Sequence, residues 1–173
     1  MTDVEPTPAW EASGRVVSLH RSNGGVPKLP AERVFVSLSG MEGDRQRNRR
    51  FHGGPNRALC LYSAERLAAL AAEGHPAWPG SMGENVLVTG LPWERVVPGV
   101  VLRLGGVEAE VTGYAAPCES IAGSFCDGGF KRVGQKVHPG WSRVYVRILR
   151  EGEIAQGDVA TIRRPPKDEY LLI

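Results

Sequence analysis

No apolar run in the sequence approaches the ~20 residues needed to span a bilayer, which excludes a protein held in the membrane by helices. Cysteine is scarce, with 3 among 173 residues. An odd, small number argues against a secreted scaffold held by disulfides. The N-terminus carries acids and prolines where a signal peptide needs a basic start and an apolar run. We therefore expect a cytoplasmic protein with free thiols and no membrane partner.

Aromatic residues are also few, at 7%, whereas glycine and proline number 22 and 13. This composition favours many turns and short strands over a helical bundle. Short apolar runs bounded by turn residues predict eight strands, over residues 14–20, 33–38, 58–62, 85–89, 100–104, 108–112, 144–149 and 159–162. The fold predicted is mainly β: a closed or nearly closed β-barrel of short strands with a few short helices.

One helix is predicted over residues 64–73. Ser63 would cap it, Gly74 would end it, and Leu67, Leu70 and Ala71 would form its apolar stripe. A second short helix is predicted over residues 119–125.

We expect one domain over residues 13–163, flanked by a flexible N-terminal tail (1–12) and a C-terminal tail (164–173). The N-terminal tail is polar, and the prolines that follow Arg164 would end a strand. The apolar residues 170–173 could pair with an exposed strand edge of a second copy, so a homodimer is open.

The net charge of +2 is too small to argue for a nucleic-acid partner. Its distribution is uneven, because the stretch from 45 to 57 holds one histidine, no acid, and the arginines Arg45, Arg47, Arg49, Arg50 and Arg57. This local excess predicts either a solvated basic loop or an anion site in an otherwise balanced protein.

Three segments rich in glycine and polar residues interrupt the strands: residues 22–28, residues 40–45 leading to 52–59, and residues 83–85. Glycine lets the backbone approach a ligand closely, and successive free N–H groups bind anions. Together with Lys28, Arg45 and Arg57, these loops suit a phosphate. The alternatives are that the glycines serve hairpins and that Lys28 is an ordinary solvated lysine. No GxGxxG is present, and the segment 129–134 has Gln135 where a P-loop requires lysine.

The three cysteines differ in their settings. Cys60 lies in an apolar strand and is expected to be a small buried hydrophobe. Cys118 follows a strand and begins the second predicted helix, where exposed N–H groups would stabilise a thiolate, so it is our candidate nucleophile or soft-metal ligand. Cys126 could be its disulfide partner or part of the core. No CxxC and no paired Cys/His spacing is present, so a structural zinc site is not expected.

Among the histidines, His52 is the best candidate for a polar site, because it lies between the arginine run and two glycines. His20, His75 and His138 are expected to be surface or loop residues. A catalytic pair could combine Cys118 with His52 or with His138.

Six segments in order resemble the MOSC domain, the domain found at the C-terminus of molybdenum-cofactor sulfurases and as stand-alone bacterial proteins of the YiiM-like branch. The resemblance covers residues 13–163. These segments are Gly40-Met41-Glu42-Gly43-Asp44, His52-Gly53-Gly54-Pro55-Asn56-Arg57-Ala58-Leu59, Gly83-Glu84-Asn85, Pro117-Cys118, Gly140-Trp141 and Gly157-Asp158.

The resemblance implies a β-barrel that binds a pterin-type molybdenum cofactor. It implies that Cys118 is the sulfur carrier or metal ligand. The remaining site residues expected from the resemblance and the basic loops are His52, as a catalytic and cofactor-binding residue, and Lys28, Arg45, Gly53, Gly54, Arg57, Glu84 and Asn85 at the cofactor.

The leading hypothesis is therefore a molybdenum-dependent oxidoreductase that reduces N-hydroxylated bases or related N-oxygenated compounds. The sequence contains neither a pyridoxal-phosphate domain nor an iron–sulfur domain, so a separate protein is expected to supply electrons or sulfur. The alternative is a sulfur carrier or cofactor-delivery module in which Cys118 carries a persulfide. A third possibility is a domain that keeps the fold without the cofactor.

Overall fold

The computed structural model describes residues 11–45 and 54–164. Within these ranges the chain forms one α-helix, α1 (Ala64–Ala72), several short 3-10 helices and eleven strands. The strands are β1 (Ala12–Arg21), β2 (Leu29–Ala31), β3 (Arg33–Ser37), β4 (Gly40–Met41), β5 (Leu59–Ser63), β6 (Val86–Thr89), β7 (Val101–Leu104), β8 (Val107–Tyr114), β9 (Val144–Arg150), β10 (Gly152–Ala155) and β11 (Val159–Arg164). No helix in the described ranges has the length and apolar character to cross a bilayer.

Seven strands close into a barrel, in the order β11-β7-β8-β9-β5-β6-β1, with β1 pairing back to β11. β2 extends this sheet beyond β1, and β10, β3 and β4 form a second, three-stranded sheet. β5 and β6 are parallel, and their crossover is provided by α1 and the loop after it. The predicted mainly β barrel with few short helices is confirmed.

Period-two alternation in the sequence builds the barrel wall. In β8, Val107, Ala109 and Val111 are buried, while Glu108 and Glu110 between them are partly exposed. Opposite faces of a strand alternate in this way, so the apolar set fills the interior. The fully buried residues of the core include Leu59, Leu61, Leu102, Leu104, Val144 and Val146.

All eight predicted strands occur, with ends that differ by a few residues. The prediction missed β2, β4 and β10. These strands give little local signal, because β2 contains Pro30, β4 is 2 residues long and β10 begins at a glycine.

The predicted helix is confirmed as α1, with Ser63 as its cap: the Oγ of Ser63 accepts a hydrogen bond from the N–H of Arg66 at 3.2 Å. Leu67 and Leu70 are buried against β5 and β6. Ala71 is exposed, so its place in the apolar stripe was wrong. The helix lies on the outside of the barrel and buries a narrow face.

At Gly14 in β1, the backbone of Thr89 lies so close that no side chain fits, so this position requires glycine. A Cβ at this position would overlap the carbonyl oxygen of Thr89. We predict that Gly14→Ala lowers the free energy of unfolding by roughly 1–3 kcal/mol, the usual cost of overpacking. Gly113→Ala in β8 is the matched control, because a Cβ there has no neighbour within 4 Å. Urea denaturation of both variants checks this, and equal stability of the two would contradict it.

Candidate functional site

The side chain of Asp44, just after β4, is 5% exposed. It anchors to the barrel the start of the arginine-rich stretch over residues 45–57, which we call the basic segment. Its Oδ2 accepts hydrogen bonds from Nζ of Lys28 at 2.8 Å and from Nδ2 of Asn85 at 2.9 Å. Its Oδ1 accepts from the N–H of Ser22 at 2.9 Å. The N–H of Arg45 donates in turn to the carbonyl of Ser22 at 2.6 Å. The chain therefore enters the basic segment from a fixed position beside the end of β1.

Asn85 connects this carboxylate to two barrel strands. Its Oδ1 accepts from the N–H of Cys60 at 2.9 Å, and its Nδ2 also donates to the carbonyl of His20 at 3.2 Å. Both Asn85 and His20 are buried. The expectation that His20 lies at the surface was wrong, because the segment before β6 covers it: its Nδ1 lies 3.2 Å from the carbonyl oxygen of Glu84, and its ring lies close to Gly80. Burial lowers the pKa of His20.

Glu84, next to Asn85, is a completely buried carboxylate. Neither of its oxygens has a partner with hydrogen-bond geometry among the described residues. Burial raises the pKa of Glu84 to about 7, and the guanidinium of Arg143 and the nearby backbone of Met82 and Gly80 limit the rise. A carboxyl group with this pKa exchanges a proton near neutral pH.

Arg143, just before β9, holds the Glu84 segment and the Cys118 loop together. Its Nη1 donates to the carbonyl of Met82 at 2.7 Å, and its Nη2 donates to the carbonyl of Ala116 at 3.4 Å. The side chain is buried. Sequence reasoning missed Arg143. The available signal was a single arginine directly before a long apolar strand.

Cys118 follows β8 and directly precedes a 3-10 helix over Glu119–Ser124. The predicted second helix is therefore shorter and tighter than expected. The Cys118 side chain is half-buried, and its Sγ lies 2.8 Å from Oγ of Ser120. Cys60 is buried, as predicted, and burial raises its pKa.

Cys126 is exposed, and all three thiols are free. Both expectations for Cys126, a core residue or a disulfide partner of Cys118, were wrong. The chain reaches the surface after Phe125 and carries Cys126 away from the interior.

Tyr145 of β9 contacts both Arg57 and the loop that leads to Cys118. Its ring packs with Cys60 and Ala115, and the guanidinium carbon of Arg57 lies 5.3 Å from the ring centroid. Burial raises the pKa of Tyr145 to about 12, and the Cys60 and Cys118 thiols add to the rise while Arg57 opposes it. Tyr145 therefore contacts both Arg57 and Ala115, and Ala115 lies three positions before Cys118 in the chain. Sequence reasoning did not single out Tyr145.

A groove of about 1020 Å³ lies beside this cluster. Three of the predicted site residues, Arg45, Gly54 and Arg57, line it. Glu42 and Asp44 line it as well, but the charge of Asp44 is balanced by Lys28. The apolar part of the wall is formed by Phe35, Leu38, Met41 and Ala58.

The structure connects some of the predicted residues through side chains that the prediction did not include. Lys28 and Asn85 share the carboxylate of Asp44, and Arg143 bonds the carbonyl of Met82, two residues before Glu84, and the carbonyl of Ala116, two residues before Cys118. Arg45, Gly54 and Arg57 line the groove, whereas Cys118, Glu84 and Asn85 are not among its lining residues. Lys28 is 8% exposed, so the solvated-lysine alternative was wrong. His52 and Gly53 lie outside the described residues.

Comparison with known proteins supports the resemblance. The family model of the MOSC domain matches residues 48–161. YflK of Bacillus subtilis (strain 168), an uncharacterized protein, is 35% identical over 136 residues, which cover 77% of this chain and 60% of YflK. YiiM of Escherichia coli (strain K12) is 35% identical over 92 residues, covering 51% of this chain and 41% of YiiM. The chain thus matches less than two thirds of the length of either curated relative.

Solved structures share the fold. YiiM from Geobacillus stearothermophilus superimposes with a TM-score of 0.67 at 23% identity, over 87% of this chain and 76% of its own. The YUAD protein from Bacillus subtilis gives a TM-score of 0.66 at 18% identity, over 88% of this chain and 96% of its own.

The buried carboxyl of Glu84 predicts a specific pH dependence of stability. Between its ordinary value of 4.5 and about 7, the unfolded chain loses the Glu84 proton while the folded chain keeps it, so folding stability falls as pH rises through this window. Glu84→Gln removes this effect. The free energy of unfolding of the variant, relative to that of the wild type, should rise by up to ~3 kcal/mol between pH 4.5 and 7.5. The reason is that one pKa unit corresponds to about 1.4 kcal/mol.

Denaturation at a series of pH values measures this gain. The exposed Glu151→Gln is the control and should show no such trend. A constant difference between wild type and Glu84→Gln at all pH values would show that Glu84 is ionised in the folded protein.

The exposures of the thiols predict an order of alkylation in the folded, cofactor-free protein. Cys118 and Cys126 should react with iodoacetamide, while Cys60 stays protected until the barrel unfolds. Peptide mapping by mass spectrometry gives the rate at each site. Modification of Cys60 before Cys118 would contradict the assignment of Cys118 as the reactive thiol.

Proposed function

Because the chain belongs to the MOSC domain family, we propose that its barrel binds a pterin-type molybdenum cofactor and reduces N-hydroxylated bases or related N-oxygenated compounds. Proteins of the family are associated with molybdenum-cofactor enzymes. The observation that carries the proposal is the half-exposed Cys118 thiol at the end of a loop whose Ala115 packs against Tyr145, the same ring that Arg57 of the groove covers. The loop that carries the soft ligand and an arginine of the groove thus both contact one side chain.

The donor set fits such a cofactor. A thiolate is a soft ligand of the kind that molybdenum in a dithiolene complex accepts, and Cys118 would hold the metal. Arg45 and Arg57 would bind the phosphate, with the backbone at Gly54, where a Cβ would meet no neighbour within 4 Å. When bound, the cofactor would supply two-electron redox chemistry.

Lys28 and Asn85 contribute indirectly, as positioning residues. Their contacts with Asp44 hold the start of the basic segment in place, and Arg45 is the next residue in the chain. The apolar side chains of Phe35 and Leu38, which are exposed at 43% and 55% on the groove wall, would contact the flat ring of a base.

Reduction of an N–OH group to N–H consumes two electrons and two protons and releases water. The electrons would come from a separate donor protein. Glu84 is suited to hold one of the protons, because burial places its pKa at about 7. His52 stays a predicted catalytic residue.

The alternative is a sulfur-carrier or cofactor-delivery module. The partial exposure of Cys118 favours it, since a partner protein must reach a persulfide to give or take its sulfur. The two functions differ in what the purified chain carries.

Elemental analysis of the chain expressed in a host that makes the cofactor distinguishes them. We expect about one molybdenum per chain, with loss of most of it in Cys118→Ser and retention in Cys126→Ser, the matched control. The molybdenum-loaded protein should turn over a hydroxylamino base with a chemically reduced dye as electron donor, and Cys118→Ser should not.

Sulfane sulfur on Cys118 without molybdenum would support the carrier function instead. Absence of both from the folded wild-type chain would contradict both functions. Thermal unfolding of Cys118→Ser verifies that the barrel is intact.

A further inference from the structure

We propose that His75, Cys126 and Asp127 form a binding site for a borderline divalent transition-metal ion such as Zn²⁺, separate from the groove. A ring nitrogen of His75, Sγ of Cys126 and a carboxylate oxygen of Asp127 all lie within 4.8 Å of one another. His75 follows α1, and the other two residues follow the 3-10 helix over Glu119–Ser124. A nitrogen, a thiolate and a carboxylate are the three ligand types that zinc takes in proteins.

The separation of two donors already matches that of metal ligands. Nδ1 of His75 lies 3.4 Å from Sγ of Cys126. In a tetrahedral zinc site, bonds of ~2.3 Å to sulfur and ~2.05 Å to nitrogen place these two atoms ~3.6 Å apart. Asp127 is exposed and next to Cys126, and one of its carboxylate oxygens lies within 4.8 Å of the other two donor atoms. Its Oδ1 accepts the N–H of Gly129 at 2.8 Å, which orients the carboxylate. A fourth position is left for water or another small ligand.

The contacts of His75 orient its lone pair toward the cluster. Nε2 lies 3.5 Å from a carboxylate oxygen of Glu73, while Nδ1 accepts the N–H of Cys126 at 3.3 Å. The proton is therefore placed on Nε2, and the Nδ1 lone pair, which accepts the N–H of Cys126, points toward the cluster; a metal ion at Nδ1 would replace this hydrogen bond. Metal-bound histidines in proteins commonly donate their other ring N–H to a carboxylate in this way.

Further contacts fix that carboxylate and the ring. Arg132 donates to both oxygens of Glu73, at 2.7 and 3.2 Å. The His75 ring packs edge-on against Phe125 with centroids 5.1 Å apart. The histidine is thus held from two sides before any metal binds, which lowers the cost of ordering it.

This site cannot be recognised from the sequence, because its donor residues come from two separate parts of the chain. His75 and Cys126 are 51 residues apart, so neither a CxxC nor a local Cys/His spacing marks it. Cys126 lies eight positions after Cys118, and a bound ion would fasten the far end of the segment that begins at Cys118 to the end of α1.

Titration of the reduced chain with Co²⁺ tests the proposal directly. The chain is produced without molybdenum cofactor, so the outcome is independent of the proposed function. We expect one Co²⁺ per chain, a thiolate-to-cobalt charge-transfer band, tetrahedral visible bands, and displacement by one equivalent of Zn²⁺.

The variants assign the ligands. Cys126→Ser should remove the charge-transfer band, and His75→Gln and Asp127→Asn should each weaken Co²⁺ binding at least tenfold. Glu73→Gln should weaken it about 10–100-fold through the orientation of His75. Cys118→Ser is the matched control and should bind as the wild type does.

A charge-transfer band that survives in Cys126→Ser, or no band at millimolar Co²⁺ in the wild type, would overturn the proposal. Because Cys126 and Asp127 are exposed, their variants should fold, and thermal unfolding of the apo proteins verifies it.

Discussion

The arrangement of the candidate site depends on how the carboxylate of Asp44 is satisfied. A buried charge without partners costs several kcal/mol, so the fold must bring donors to it. Lys28, Asn85 and the N–H of Ser22 do so from three separate segments. Removing one partner of such a group typically costs ~3–5 kcal/mol, because the remaining charge is left buried. The loop that carries Lys28 and the segment that starts at Arg45 are therefore held by one carboxylate.

The segment before β6 joins this network to the reactive thiol. Asn85 contacts Asp44, and the adjacent Glu84 lies close to Arg143, whose guanidinium bonds the backbone on both sides: at Met82 and at Ala116. Backbone carbonyls held by a rigid, buried guanidinium keep their separation. Two sets of hydrogen bonds, one at Asp44 and one at Arg143, are thus joined by the chain segment 82–85 and extend from Lys28 to within two residues of Cys118. In our account, this continuity lets a basic groove and a soft ligand serve one bound molecule.

Much of the barrel was predictable from the sequence, because alternation of buried and exposed residues is a local property. The period-two pattern of β8 and the Ser63 cap of α1 needed no knowledge of distant segments. The predictions failed where distant segments decide the outcome. His20 is covered by the segment that carries Gly80 and Glu84, about 60 residues away in the sequence, and β2 pairs with β1 despite Pro30.

For the site, the residue types were predictable and their partners were not. Arg45, Gly54 and Arg57 stand in a segment whose charge is plain in the sequence, and they line one groove. The pairing of Lys28 with Asp44, and the position of Arg143 between two loops, arise from contacts across the closed barrel. The exposure of Cys126 likewise depends on where the chain leaves the core.

The central claim is that the Cys118 sulfur is a ligand of the molybdenum. X-ray absorption at the molybdenum edge tests it most directly, because the fine structure counts the sulfur atoms bound to the metal. In the wild-type protein, the account predicts one molybdenum-bound sulfur more than the dithiolene of the cofactor supplies. In Cys118→Ser, the molybdenum that remains bound should lack this additional sulfur. The same sulfur count in both proteins would contradict it.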